Sequence, residues 1–176
     1  MLIEFRVANY RSIGEEQILS LIPASKQKEY LDNIISKGKH DAINALAIYG
    51  ANGSGKSNLL RAMGVLDTLI HFSARSTSTT KLPFDPFLLR EGWETKPTKF
   101  EITFIIEEEK YRYGVEFYRE SVEREWLYRK GQGREVALFL RKRETIDHMK
   151  HLMLCAKAQE TRYRFKKTPK WCLFEI

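Results

Sequence analysis

Apolar and polar residues alternate over residues 2–7, with Ile3, Phe5 and Val7 on one side, as a half-buried strand requires. The polar break Asn9-Tyr10-Arg11-Ser12-Ile13-Gly14 interrupts the pattern. Residues 15–22 resume it until Pro23 stops a second strand, and the two are expected to pair as a hairpin at the edge of a sheet. Residues 25–41 are polar and lysine-rich with no clear period, which predicts a connecting loop with at most a short helix. Residues 45–49 form a short apolar run of the kind a buried parallel strand shows. Leu59, Leu60, Met63, Leu66, Leu69 and Ile70 then recur at helical spacing.

After a polar linker over residues 73–80, Pro83 and Pro86 predict an extended segment at residues 82–89, packed by its aromatics. Strand-like runs follow over residues 99–107, 111–118, 122–129 and 135–141. Glu107-Glu108-Glu109-Lys110 and Lys130-Gly131-Gln132-Gly133 separate them as turns, which is the pattern of an antiparallel meander. Beyond residue 144 the signal weakens. Ile146, Met149, Leu152, Met153 and Ala156 fit one helical face only loosely. The expected fold class is therefore α/β, a strand–loop–helix lobe over residues 1–143 with an adjoining antiparallel meander, followed by a basic tail over residues 144–176.

Between the apolar run and the helix stands Gly50-Ala51-Asn52-Gly53-Ser54-Gly55-Lys56-Ser57, which fits the phosphate-binding pattern G-x-x-x-x-G-K-[ST]. Chance supplies its four fixed positions in a chain of this size on the order of 1% of the time. The strand before it and the helix after it are the context the pattern needs. Gly50, Gly53 and Gly55 allow backbone angles and approaches that a side chain would block. Successive amides can then wrap an anion at the positive end of the helix. In that reading Lys56 reaches the β- and γ-phosphates of ATP and the Ser57 hydroxyl ligates Mg²⁺. The competing reading is a glycine-rich turn that caps an ordinary helix.

Composition narrows the function classes. The length of 176 residues suits one domain or one lobe of a larger one. No apolar run reaches the roughly 20 residues of a membrane span, and Glu4 falls where a signal peptide would be basic and apolar. The expectation is a cytoplasmic chain with no membrane contact. Cys155 and Cys172 are too few and too far apart for a disulfide framework or a zinc site. The net charge of +7 sits in one part of the chain: residues 1–118 hold 15 basic and 15 acidic residues, residues 119–176 hold 15 against 8. That asymmetry suits nucleic acid as a partner of residues 119–176, with a solvated basic tail as the plain alternative.

Other candidates are thinner. His40, His71, His148 and His151 are scattered, and His148 with His151 lacks a third ligand nearby. Tyr111, Tyr113, Phe117 and Tyr118 with Arg112 and Arg119 could make a strand surface that stacks bases and holds phosphates, against the simpler reading of core aromatics. Residues 162–170 are basic with interleaved aromatics and could touch a phosphate backbone.

The run Gly50-Ala51-Asn52-Gly53-Ser54-Gly55-Lys56-Ser57-Asn58-Leu59-Leu60-Arg61-Ala62 resembles the phosphate loop of ABC-type ATPases of the SMC, RecF and OLD kind, and Asn9-Tyr10-Arg11-Ser12-Ile13 is similar to the opening motif of the same group. A narrower resemblance, over roughly residues 1–143, is to AAA-family ATPases of the RloA and AbiL abortive-infection sort. It rests on Pro83-Phe84, Phe100-Glu101-Ile102-Thr103-Phe104, Tyr111-Arg112-Tyr113-Gly114 and Glu125-Trp126-Leu127-Tyr128. The resemblance implies ATP and Mg²⁺ as cofactors, head-to-head dimerisation, and phage defence or DNA maintenance beside a toxin or nuclease partner.

The chain departs from that pattern in places that bear on turnover. The family's downstream strand ending in Asp-Glu, its signature loop and its switch histidine are not visible. Ile102-Thr103-Phe104-Ile105-Ile106-Glu107-Glu108 imitates the first of these, but the strand that follows at once makes it a hairpin turn. The expectation is thus an incomplete ABC-type ATPase head that binds Mg-ATP through residues 50–57 without hydrolysing it alone. A nucleic-acid-binding or regulatory module and a truncated, non-functional remnant are the alternatives. A homodimer and a missing second lobe are the partners that this leaves open.

Overall fold

The computed structural model describes residues 1–24, 31–72, 81–143 and 145–148. Nine strands and one long helix carry it. β1 (Leu2–Ala8) and β2 (Gln17–Ser20) form the expected hairpin, with Phe5 opposite Leu19. β5 (Thr98–Ile106), β6 (Glu109–Phe117), β7 (Val122–Lys130) and β8 (Val136–Lys142) follow as the expected meander. With β9 (Thr145–His148) they make one antiparallel sheet in the order β2-β1-β5-β6-β7-β8-β9.

The alternation read from sequence sets the faces. Phe5, Val7, Phe100, Tyr113, Val115 and Phe117 point to one side and are buried. The helix α1 (Lys56–Phe72) lies on that side, burying Ala62, Leu66 and Leu69 among them. Leu60, counted in the apolar stripe, lies on the helix's outer face and is 58% exposed. The segment at residues 82–89 is extended, as expected. Leu82 and Phe87 are buried, and Phe84 meets Tyr118 with ring centroids 5.9 Å apart.

Asn9 fastens this segment to the sheet. Its side-chain nitrogen donates to the carbonyls of Trp93 and Lys96 at 3.0 and 2.7 Å, and its side-chain oxygen accepts from the Phe87 amide at 2.9 Å. Thr98 Oγ1 donates to the Asn9 carbonyl at 2.8 Å. Asn9 does this at φ 52°, a left-handed conformation that asparagine tolerates better than most residues.

Three expectations are corrected. Where residues 25–41 were expected to be a connecting loop, residues 34–43 form a second small sheet of β3 (Ile34–Lys37) and β4 (His40–Ile43), turned at Gly38 with φ 57°. Ala42 packs with Ile3 and Ile105 on the sheet face away from α1. Residues 145–148, placed in the basic tail with only a loose helical pattern, are strand β9, paired with Phe139–Lys142. Residues 45–49 are not a buried strand. They lie in no sheet and make no backbone hydrogen bond among the described residues, with Leu46 45% and Tyr49 91% exposed. An apolar run of that kind needs strands on both flanks, and the seven-stranded sheet closes through β1 and β5 without offering one.

Candidate functional site

The glycine loop joins residues 45–49 to α1, and local geometry shapes it. Gly53 and Gly55 take φ of 82° and 92°, a region that side chains disfavour. A Cβ on Gly53 would meet nothing within 4 Å, so its requirement is conformational rather than steric. Ser54 N donates to the Ala51 carbonyl at 3.2 Å, and the amides of Asn58 and Leu59 both donate to the Gly55 carbonyl, at 2.9 and 3.0 Å. Among the described residues the amides of Gly53, Gly55, Lys56 and Ser57 make no hydrogen bond. They are the donors that the start of a helix leaves over.

Lys56 closes the loop on itself. Its ammonium donates to the carbonyls of Gly50 and Ala51 at 2.7 and 2.8 Å and lies 3.4 Å from Ser54 Oγ. Gly50, Ala51, Asn52, Gly53, Ser54 and Ser57 are exposed, so the loop faces solvent over most of its length. Behind it, Asn58 Nδ2 donates to Ser12 Oγ at 2.7 Å, which joins the β1–β2 turn to the first turn of α1. Arg11, in the same turn at φ 50°, is committed to Asp85 at 2.7 Å.

The acid pair Glu107-Glu108 occupies the turn between β5 and β6, with φ of 47° and 70°. It is a two-residue hairpin connection, as the sequence indicated, and not the end of a buried strand. No group of three or more His, Cys, Asp or Glu side chains among the described residues could hold a metal ion.

Of the two readings of Tyr111, Tyr113, Phe117 and Tyr118 with Arg112 and Arg119, core aromatics hold for Tyr113 and Phe117 and a shared binding surface does not. Tyr113 and Phe117 are 3% and 0% exposed on the helix side of the sheet. Adjacent strand residues point to opposite faces, so Arg112 is on the other side. Cys155, Cys172, His151 and residues 162–170 lie outside the described residues, and His148 is in β9.

Two buried polar clusters escaped the sequence reading. Glu101, 6% exposed, accepts from Arg112 at 3.1 Å and from Trp126 Nε1 at 2.9 Å. Glu125, 1% exposed, accepts from the Tyr113 hydroxyl at 2.9 Å and stands 3.5 Å from Arg141. Burial pushes the Glu125 carboxyl up to about 7, outweighing the attraction of Arg141. The signal available in sequence was parity: Glu125 is an acid at a position where the strand alternation calls for an apolar residue.

No helix among the described residues is long and apolar enough to cross a membrane. A family described as "AAA domain, putative AbiEii toxin, Type IV TA system" matches residues 45–152. No curated protein matches the chain.

Proposed function

The chain belongs to this family of AAA domains, and on that premise we propose that residues 50–57 bind Mg-ATP. The observation that carries the reading is the loop itself. Amides of Gly53, Gly55, Lys56 and Ser57, unpartnered among the described residues, stand at the start of α1 beside a lysine whose ammonium bonds to loop oxygens. A polyphosphate offers that ammonium better partners than neutral carbonyls, because the attraction of opposite full charges then adds to the hydrogen bond. Gly50, Ala51, Asn52, Gly53, Ser54 and Gly55 would wrap the phosphates, Lys56 would take the β- and γ-phosphate oxygens, and the exposed Ser57 hydroxyl would ligate Mg²⁺. Bound Mg²⁺ supplies charge neutralisation between the phosphates.

The proposal is binding and not complete turnover. Hydrolysis needs a residue that orients water and donors that stabilise the departing charge, and the acid pair that came nearest to such a group is in the β5–β6 turn. Residues 45–49 support a second element of the reading. Their apolar side chains and a backbone unpaired among the described residues are suited to accept strands from a further polypeptide segment, either another lobe or a second copy, which would also stiffen the loop. The family description further supports a role in phage defence beside a toxin–antitoxin partner.

The test is the unfolding midpoint of the full chain with and without Mg-ATP. Nucleotide raises the midpoint of the wild type and leaves that of Lys56→Ala where it was, while the two agree without ligand. Equal shifts in both proteins would sink the assignment.

A further inference from the structure

The sheet face that α1 leaves uncovered is charged and aromatic. Along β6 and β7 the register sets Lys110 beside Lys130, Arg112 beside Tyr128, Gly114 beside Trp126 and Glu116 beside Arg124. In β8, Lys142 lies beside Arg124 and Leu140 beside Trp126. All these positions share the face opposite Tyr113 and Val115. At the rise of an extended strand, the row from Lys110 to Glu116 is roughly 20 Å long. A shallow groove of about 530 Å³ follows part of it, lined among others by Arg112, Arg124, Trp126, Tyr128 and Lys142.

The charges on this row are not arranged for the sheet's own benefit. Lys110 with Lys130 and Arg124 with Lys142 are like-charged cross-strand neighbours, an arrangement that destabilises a sheet. Carboxylates offset it only in part. Glu135 bonds Arg112 at 2.7 Å, and its carboxyl is held below the usual range by Arg112, with Lys110 and Lys130 adding to the effect. Glu101 is taken by Arg112 and Trp126. Glu116 is 3.7 Å from Arg124, and Lys142 is exposed. Along β6, β7 and β8 five cations stand against these three acids, and the register of β9 sets Asp147 beside Leu140 on the same face.

Between the cation pairs lies a fixed flat surface. A Cβ at residue 114 would come within 2.2 Å of the Trp126 ring, so glycine there is what lets the indole lie down on β6. The Nε1 bond to Glu101 then prevents the ring from turning. Next to it the Arg112 guanidinium sits 4.5 Å from the centre of the Tyr128 ring and offers a second plane.

We propose that this row binds single-stranded nucleic acid, with phosphates along Lys110, Lys130, Arg124 and Lys142 and unstacked bases on Trp126 and on the Arg112–Tyr128 pair. The cations alone would suit any polyanion. A pinned aromatic platform set among them favours a ligand that alternates phosphates with flat rings, and bases are open to stacking in this way only when they are not paired in a duplex. The surface is on the side of the sheet away from α1 and its loop, so it acts independently of the nucleotide reading.

The test titrates the full chain into fluorescein-labelled oligothymidylate, and into oligouridylate as the RNA arm, following anisotropy at low and moderate salt. The double variant Arg124→Glu/Lys142→Glu changes two exposed side chains, and circular dichroism checks that its fold is kept. It is expected to bind at least about tenfold more weakly and to flatten the logarithmic salt dependence by about 2. An abasic strand of equal length is expected to bind about tenfold more weakly than the oligothymidylate, while Lys56→Ala binds as the wild type does. The proposal is overturned if neither oligomer binds or if the double variant binds unchanged. It is equally overturned if an abasic strand or an acidic peptide binds as tightly as the bases do.

Discussion

The Ser12 hydroxyl accepts a hydrogen bond of 2.7 Å from Asn58 Nδ2, so the turn between the first two strands braces the first turn of the helix behind the glycine loop. A Cβ on Gly55 would lie 3.2 Å from the same hydroxyl oxygen, which places the two segments in direct contact. Both side chains are in exposed surroundings, where a hydrogen bond contributes about 0.5–1 kcal/mol. Asn58→Ala should therefore move a urea midpoint only slightly. Nucleotide affinity should fall several-fold, because the loop then has to be ordered on binding. Melts and titrations of one preparation separate the two effects.

Asn9 carries a larger share of stability. Replacing it with alanine leaves the Phe87 amide and the carbonyls of Trp93 and Lys96 without their partner and puts a β-carbon at φ 52°. The expected loss is about 3–5 kcal/mol in denaturant unfolding. Asn9→Gly should recover about 1 kcal/mol of that, since it removes the backbone strain but not the lost hydrogen bonds.

Glu125 makes stability depend on pH. Its carboxyl titrates near 7 in the fold and near 4.5 when unfolded, because burial disfavours the anion. Between those values the folded chain holds the extra proton, so stability falls as pH rises through the window. The difference is at most about 3 kcal/mol. Stability measured at intervals from pH 5 to 8 should fall more steeply with pH in the wild type than in Glu125→Gln. Parallel curves would contradict the assignment.

The β5–β6 turn stores strain at Glu107 and Glu108, both left-handed. Asn and Gly are the residues that such a turn accepts at least cost. Glu107→Asn with Glu108→Gly should raise stability by about 1–2 kcal/mol, read as a higher denaturant midpoint with unchanged slope.

The meander was legible because each of its strands buries one face, and period two survives wherever one face is wet. The β1–β2 hairpin was legible for the same reason at Phe5 and Val7, which share the buried helix face, whereas an irregularity between Leu2 and Glu4 sends Ile3 to the other cluster, beside Ala42 and Ile105. The β3–β4 hairpin was not, because its residues are mostly exposed and carry no alternation. Only Gly38, flanked by lysines, marked its turn. Residues 45–49 misled for a different reason. An apolar run specifies that burial is wanted but not which segment provides it, and the sheet spends its edges elsewhere. The glycine loop was read from its motif together with a strand before it and a helix after it, of which the helix forms and the strand does not, and of the two readings of the β6 aromatics the core one holds, on parity. Tyr113 and Arg112 are neighbours in β6 and so cannot share a face. Parity alone sets the basic, aromatic row on Arg112, Trp126 and Tyr128.

The central claim is that the amides of the glycine loop and the Lys56 ammonium hold a polyphosphate. Isothermal titration of Mg-ATP into the full chain, wild type against Lys56→Ala, addresses it most directly. A saturable heat with one site per chain in the wild type, absent in the variant although both give the same melt without ligand, is the expected result. Titration curves that coincide, or a wild type that takes up no nucleotide, would contradict it.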